Sequence, residues 1–215
     1  MALAKRIAVT LPAGPRIEDT VSRIQWAEEQ GIADAWFSDS GAPDTLTQVA
    51  AIAHQTKNIR IGTAVTPVYT RSPSVLAASA NVIGQLLPDR FVMGLGSSSQ
   101  TIMGQFNGIP LDKPLTRVRE TAELVKIMLT GEKTNYDGET LFSKGYRQAP
   151  MENPPPIYLA ALRPKMIEMA AEVGDGVIFN LWPKAALPKM MEHIAIGAAK
   201  AGKKAEDVEL SLIHI

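Results

Sequence analysis

The stretch Arg90–Gln100, RFVMGLGSSSQ, runs from an apolar segment into glycines and then three serines. An apolar strand that ends in glycines and small hydroxyl side chains is typical of a backbone that approaches a phosphate-bearing ligand. The spacing Gly94-x-Gly96-x-x-Ser99 lacks the third glycine of a dinucleotide fingerprint, and it follows the fourth predicted strand, whereas that fingerprint follows the first. The stretch indicates either a ligand-binding strand end or a strand that ends in a flexible turn.

Short β-branched segments alternate with amphipathic helical patterns along the chain, without a low-complexity linker. Helix starts are predicted at Asp44, at Ser72 with Pro73, and at Pro164, because these residue types cap or open helices. An Asp-Gly pair at 137–138 predicts a small hairpin. The predicted strands of the main sheet are Ile7–Leu11, Ala35–Ser38, Arg60–Thr63, Phe91–Leu95, Ile157–Ala160, Val177–Phe179 and Val208–Ile213.

Seven strand–helix repeats predict an α/β fold with a parallel sheet buried on both faces. A doubly wound sheet and a (β/α)8 TIM barrel both fit this pattern. A barrel usually takes about 250 residues, and this chain of 215 residues ends where an eighth strand is still expected. We therefore predict one domain, residues 1–215, that is a TIM barrel truncated after about seven strands. The final SLIHI, residues 211–215, is expected to lie outside the native reading frame.

Composition narrows the function classes. The 22 basic residues balance 22 acidic ones without a basic run, which argues against nucleic acid and anionic membranes as partners. No apolar run reaches the roughly 18 residues of a membrane span, and the N-terminal apolar segment is too short for a signal peptide. The absence of cysteine excludes disulfides and thiolate metal sites, and the three histidines form no metal-binding motif. A cytoplasmic protein without a metal site is expected.

Barrels carry their chemistry at the C-terminal ends of the strands, and the opposite rim serves stability. Asp34, Asp89 and Asp175 precede strands, so we interpret them as turn residues of that opposite rim. The polar residues that follow strands are Thr10, Asp39 with Ser40, Thr66, Ser97 to Ser99, Arg163 with Lys165, and Asn180 with Trp182.

Two of these positions are candidate site residues on their chemistry alone. Asp39 is the only carboxylate directly at a strand's exit; it could instead cap a helix or form a salt bridge. Arg163 before Pro164 places a cation and free amide groups at a helix start, which favours an anion. The alternative for Arg163 is an ordinary surface arginine. The residues alone therefore predict a barrel mouth that suits a phosphate-bearing cofactor.

Several longer stretches, in this order and spacing, resemble the bacterial luciferase-like monooxygenase superfamily from about Ile7 to Ala201. Within it, GTAVTPVYTRSP at 62–73 is similar to methylenetetrahydromethanopterin reductase and related oxidoreductases that use the deazaflavin coenzyme F420. FMN-dependent members share most of these motifs. The stretches are WAEEQGIADAWFSDS (26–40), IGTAVTPVYTRSPSVLAASANVIGQLLPDRFVMGLGSSS (61–99), RVRETAELVKIMLTGE (117–132), YDGETLF (136–142) and PIYLAALRPKMIEMAAEVGDGVIFN (156–180).

The resemblance implies a cofactor at the barrel mouth, beside which the glycines of the fourth strand clear space for a flavin-type ring. It implies a non-proline cis peptide at Ala64–Val65 that presses on the ring. The residues that it assigns to the cofactor are Asp39, Ala64, Val65, Thr66, Ser97, Ser98, Leu162, Arg163, Lys165 and Met166. The last four match a backbone segment that holds the phosphate-bearing part.

The resemblance implies an oxidoreductase that transfers a hydride between F420 and a small organic substrate, with a homodimer as a possible assembly. The alternatives are an FMN-dependent monooxygenase and a catalytically silent flavin-binding protein. Many relatives have a histidine where this chain has Ser40, and the glucose-6-phosphate dehydrogenase branch has a glutamate at the position of Ser99. Sugar-phosphate oxidation by that pair is therefore not expected, and no catalytic residue is assigned.

Overall fold

The computed structural model describes residues 6–181 and 183–213. Its main sheet contains seven strands that pair in parallel and in chain order. Every predicted strand is present, with ends shifted by at most one residue. The strands are β1 (Ala8–Thr10), β2 (Asp34–Phe37), β3 (Arg60–Thr63), β4 (Phe91–Gly96), β5 (Ile157–Ala160), β6 (Gly176–Asn180) and β7 (Glu209–Ile213). A two-residue strand, Thr66–Pro67, also pairs with β4.

Helices connect consecutive strands, and their starts follow the capping rules. The Asp44 and Ser72 side chains accept hydrogen bonds from Thr47 N and Val75 N, so both predicted N-caps are confirmed. The predicted hairpin pairs Asn135–Asp137 with Phe142–Lys144. The helices are α1 (Ile17–Glu29), α2 (Thr45–Ile52), α3 (Pro73–Leu86), α4 (Pro114–Leu129), α5 (Pro164–Val173) and α6 (Leu187–Lys200).

The sheet is curled into the greater part of a barrel. Strands β3 and β7 are four places apart in the sheet order, which would separate them by about 19 Å in a flat sheet. Yet the Arg60 guanidinium at the start of β3 bonds to both carboxylate oxygens of Glu209 at the start of β7. Strong curvature is needed for this contact, so the predicted barrel architecture is confirmed.

Side chains inside the curved sheet form a small core of their own. Trp36 and Tyr158 lie with ring centroids 6.0 Å apart and are almost fully buried. The glycines of neighbouring strands make room for them. A Cβ atom at Gly62 would lie 2.3 Å from the Trp36 ring, and one at Gly176 would lie 2.8 Å from the Tyr158 ring. The outer face of the sheet packs against the helices in a larger apolar core.

Below this aromatic layer lies a buried ionic network. Arg60 donates to both oxygens of Asp34, at 2.7 and 3.1 Å, and Arg6 donates to the same carboxylate. Burial raises the pKa of Asp34, but hydrogen bonds from Arg6 and Arg60 outweigh burial and hold that pKa below its usual value. Our prediction that Asp34 is a turn residue is wrong, because it begins β2 and is buried in this network.

The other two carboxylates predicted to form turns lie at the same rim. Asp89 occupies the left-handed region, with φ of 59°, in the turn before β4. Asp175 precedes β6, accepts a hydrogen bond from Ile157 N and pairs with Lys126 at 2.7 Å. Trp182 and His214 lie outside the described residues. Among the helices that the structure does describe, none combines the length and apolar character that crossing a membrane requires.

We expect Arg60→Leu to lower the free energy of unfolding by about 3 kcal/mol, because the buried Asp34 carboxylate keeps only Arg6 as its ionic partner and Glu209 loses its contact with Arg60. The matched control is Lys113→Ala, which removes an exposed ion pair with Glu139 and should cost less than about 1 kcal/mol. Urea denaturation of the three proteins measures both values. Equal losses in the two variants would contradict a structural role of the buried network.

Candidate functional site

A cavity of about 510 Å³ opens at the carboxyl ends of the strands. Its walls come from the segments after β2, β3, β4 and β5, from β6, and from the starts of α4 and α5. These segments are far apart in the chain and meet here because parallel strands in a barrel end at one rim. The cavity lies on the rim where the sequence predicted the chemistry.

Most of the predicted site residues meet at this cavity, and two do not line it. Thr66 is buried beneath it, and the exposed Lys165 side chain pairs with Glu168 at 3.1 Å instead. Ser40, Ser99 and Asn180 also lie on the wall. The predicted residues that line the cavity are Asp39, Ala64, Val65, Ser97, Ser98, Leu162, Arg163 and Met166.

Asp39 is the buried carboxylate of the cavity wall. Its Oδ2 accepts a hydrogen bond of 2.7 Å from Arg71, so the alternative that Asp39 forms a salt bridge is confirmed, and its role toward a cofactor stays a prediction. Burial raises the pKa of Asp39 above its ordinary value of 3.8, and Arg71 offsets this effect only in part. The buried Thr66 hydroxyl has no hydrogen-bond partner of normal geometry in the described chain, although its proximity lowers the pKa of Asp39.

The segment after β3 forms the apolar floor of the cavity. The Ala64–Val65 peptide bond is cis, as expected, and both residues pack on the inner core around Trp36. A Cβ atom at Gly96 would lie 2.6 Å from Val65 Cγ2. Gly96 therefore clears space for Val65, which itself faces the cavity.

Gly94 allows a close approach between strands β3 and β4. A Cβ atom there would lie 1.8 Å from the Thr63 carbonyl oxygen, and the Thr63 hydroxyl bonds to both Gly94 N and Gly94 O. We expected the glycines of β4 to clear space beside a ring. The structure corrects this, because the space beside Gly94 and Gly96 is filled by Thr63 and Val65.

The serines after β4 lead into a π-helical turn, Thr101–Phe106. Ser98 has a φ of 64°, which turns the chain away from the strand. The Ser99 hydroxyl accepts from Ile102 N at 3.3 Å, and Ile102 lies on the cavity wall. Sequence analysis missed Ile102 as a wall residue, since no local pattern marks which side of an irregular turn faces a cavity.

The start of α5 supplies a cation and free amides. Arg163 is the N-cap residue, no side chain caps the first turn, and Pro164 opens the helix. The first amide groups of a helix have no intrahelical acceptor, so they are free to bind an anion. In the described part of the chain the Arg163 side chain has no ion-pair partner. An oxyanion in the cavity would find both types of donor.

We expect Asp39→Asn to become more stable relative to the wild type as pH rises above 3.8, because folding raises the pKa of Asp39. The folded wild type then binds more protons than the unfolded chain, so its free energy of unfolding falls until the raised pKa is passed. Urea denaturation at a series of pH values measures this. Asp44→Asn is the control with the opposite pH dependence, because folding lowers the pKa of Asp44. This variant should be less stable than the wild type near neutral pH, and the difference in the free energy of unfolding should disappear as pH falls below 3.8. A pH-independent difference for Asp39→Asn would contradict the prediction.

Gly94→Ala should lower the free energy of unfolding by about 3 kcal/mol, because the added methyl group would lie 1.8 Å from the Thr63 carbonyl oxygen and would force the backbone of β3 to move. Gly84→Ala is the matched control, since the close approach of its methyl group is to the flexible end of Met151, its distance of 3.6 Å to Pro155 is an ordinary contact, and alanine favours the helix. Thermal unfolding followed by circular dichroism compares the two. Similar melting temperatures for both variants would contradict the prediction, because they would show that the close approach of β3 and β4 at Gly94 is not needed for stability.

The chain is similar to curated proteins over most of its length. It is 33% identical over 186 residues to 5,10-methylenetetrahydromethanopterin reductase of Methanolobus tindarius, covering 86% of this chain and 57% of that protein. It is 32% identical over 213 residues to F420-dependent glucose-6-phosphate dehydrogenase of Nocardia farcinica, covering 91% and 63%. The chain thus spans about three fifths of the length of these relatives.

Solved structures share the fold. Coenzyme F420-dependent tetrahydromethanopterin reductase from Methanopyrus kandleri superimposes with a TM-score of 0.88 at 22% identity, covering 96% of this chain and 65% of that one. An F420-dependent secondary alcohol dehydrogenase gives a TM-score of 0.84 at 18% identity, covering 96% and 68%. The sequence profile of the luciferase-like monooxygenases matches residues 1–214. With this match across the chain and the barrel described above, the protein belongs to the luciferase-like monooxygenase family.

Proposed function

We propose that this chain is the cofactor-binding part of an oxidoreductase that transfers a hydride between coenzyme F420 and a small organic substrate. The observation that carries the proposal is the cavity at the strand ends, where Asp39, the serines 97–99 and Arg163 converge over an apolar floor. The apolar floor suits a flat ring, the serine hydroxyls suit a hydroxyl-rich tail, and Arg163 suits the phosphate of that tail.

The residues present fit such a cofactor. A volume of about 510 Å³ lies within the range of small-molecule and cofactor sites. Among the described residues no carboxylate pairs with Arg163, so this cation and the first amides of α5 suit a phosphate. The buried Thr66 hydroxyl lies near enough to Asp39 to lower the pKa of that carboxyl. Val65 and Ile178 offer apolar surface to a flat ring.

When bound, F420 supplies the hydride chemistry, and the protein supplies binding, orientation and electrostatics. Arg163 and the first turn of α5 would hold the phosphate. Asp39 would orient the polar edge of the ring, and Val65 would support one ring face. Ser97 and Ser98 would bind the tail hydroxyls. These roles, with those assigned to Ala64, Thr66, Leu162, Lys165 and Met166, stay predictions.

The relatives favour F420 over FMN as the cofactor. The curated proteins named above include an F420-dependent dehydrogenase, and two similar structures are F420-dependent enzymes. The FMN-dependent alternative has support as well, because a Baeyer–Villiger monooxygenase of Pseudomonas putida in complex with FMN shares the fold at a TM-score of 0.77. A catalytically silent flavin-binding protein is the third possibility.

No catalytic acid or base is assigned. Within the described chain the cavity wall contains no histidine, glutamate or lysine, and Ser40 and Ser99 occupy the positions that differ from the sugar-phosphate branch. This composition supports a substrate other than a sugar phosphate.

A homodimer and a cytoplasmic location also belong to this proposal. Helices α2 and α3 contain no charged residue, and Val75 and Val82 are about half exposed on α3. An uncharged face of this kind supports self-association.

Binding of F420 and FMN to the purified protein tests the cofactor. We expect F420 to bind more tightly than FMN in fluorescence titrations, and we expect no oxygen consumption when reduced FMN is supplied with candidate substrates. Tight FMN binding with oxygen uptake would contradict the proposal and favour a monooxygenase. Tight F420 binding without turnover of alcohols, imines or activated alkenes would favour the silent alternative.

Arg163→Ala should weaken F420 binding about ten- to a hundredfold, because a charge-assisted contact to phosphate is lost. Arg16→Ala is the matched control, since Arg16 holds the same N-cap position at the start of α1 with similar backbone angles and does not line the cavity. Titration of both variants with F420 gives the dissociation constants. Equal affinities would show that Arg163 is an ordinary surface arginine.

A further inference from the structure

Arg71 joins the candidate site to two separate elements. It lies just before the Ser72 N-cap of α3, and its side chain is 17% exposed. Nη1 donates to Asp39 Oδ2 and Nη2 donates to Asp44 Oδ2, each at 2.7 Å. One guanidinium group thus bridges the cavity carboxylate and the carboxylate that caps α2.

The segment 38–44, which contains both carboxylates, connects β2 to α2 and belongs to no helix or strand. Gly41 within it has a φ of 120°. Its own contacts anchor its ends: Thr45 donates to the Ser38 carbonyl at 3.0 Å, and Asp44 accepts from Thr47 N at 2.9 Å. Arg71 supplies the link to α3.

We propose that Arg71 is a positioning residue for the candidate site: its Nη1 group holds the Asp39 carboxylate in the cavity wall, and its Nη2 group ties the same side chain to Asp44 at the start of α2. The function of that carboxylate toward a cofactor rests on the function proposed above. A lysine would not replace Arg71 fully, because a single ammonium group lacks the rigid fork that reaches two carboxylates in fixed directions.

The electrostatics around Asp39 agree with this assignment. Burial raises its pKa most strongly, Arg71 lowers it through charge and hydrogen bonding, Asp44 raises it, and Thr66 lowers it. In the described residues Arg71 is the only cation that pairs with Asp39, while Arg163 lines the cavity from the start of α5. Removal of Arg71 therefore raises the pKa of Asp39, because burial and the Asp44 charge then act without the opposing cation. Removal of the Asp44 charge lowers the pKa of Asp39.

The experiment follows the titration of the Asp39 carboxyl carbon by NMR, assigned with Asp39→Asn, in Arg71→Met, Arg71→Lys and Asp44→Asn. We expect the pKa of Asp39 to rise in Arg71→Met, to rise less in Arg71→Lys, and to fall in Asp44→Asn. Asparagine keeps the N-cap acceptor of α2 but removes both the charge and the Oδ2 acceptor of Arg71 Nη2, so in this variant Arg71 retains only its contact with Asp39. In parallel, the dissociation constant for F420 at pH 7 should increase about tenfold in Arg71→Met, partly recover in Arg71→Lys, and stay at the wild-type value in Asp44→Asn.

An unchanged Asp39 titration in Arg71→Met would overturn the proposal, as would an equal loss of F420 affinity in Asp44→Asn. If Arg71→Met fails to fold, Arg71→Lys must show the upward shift by itself, and its absence overturns the proposal. Failure of the wild type to bind F420 would contradict the proposed function alone, because an upward shift of the Asp39 titration in the absence of cofactor still supports Arg71 as the group that holds the carboxylate charged.

Discussion

The contact of Arg60 with Asp34 and Glu209 is the constraint on which the remaining architecture depends. It ties β3 to β7 across the interior of a sheet whose pairing alone would allow a much flatter shape. Curvature brings the strand exits together at the opposite rim. Because the ionic partners lie at the N-terminal ends of their strands, the same contact that links β3 to β7 at one end of the sheet favours the curvature that gathers the cavity residues at the other end.

Between the N-terminal and C-terminal ends of the strands, glycines on the inner face of the sheet leave room for the larger side chains of neighbouring strands. Gly62 and Gly176 accommodate the rings of Trp36 and Tyr158, and Gly96 accommodates Val65. The glycine-rich strand β4 therefore shapes the cavity indirectly. It lets protein atoms, and not a ligand, approach its backbone, and those atoms form the floor on which a ligand can rest.

The features that depend on residues close together in the chain were predictable from the sequence, and those that depend on distant partners were not. The strands, the caps at Asp44 and Ser72, and the exit residue Asp39 follow from residue types and spacing within a few positions. Asp34 was misinterpreted because its partners, Arg6 and Arg60, are 28 and 26 residues away. The bridging role of Arg71 was missed for the same reason, since nothing near it in sequence indicates two carboxylate partners.

The aromatic layer has a consequence for how such a protein can change over time. Trp36 and Tyr158 lie between the ionic network at the N-terminal ends of the strands and the rim that carries the cavity. Substitutions at the strand exits therefore leave the ionic contacts intact. A lineage built on this scaffold is free to explore new substrates at its rim while natural selection on foldability acts mainly on the opposite end.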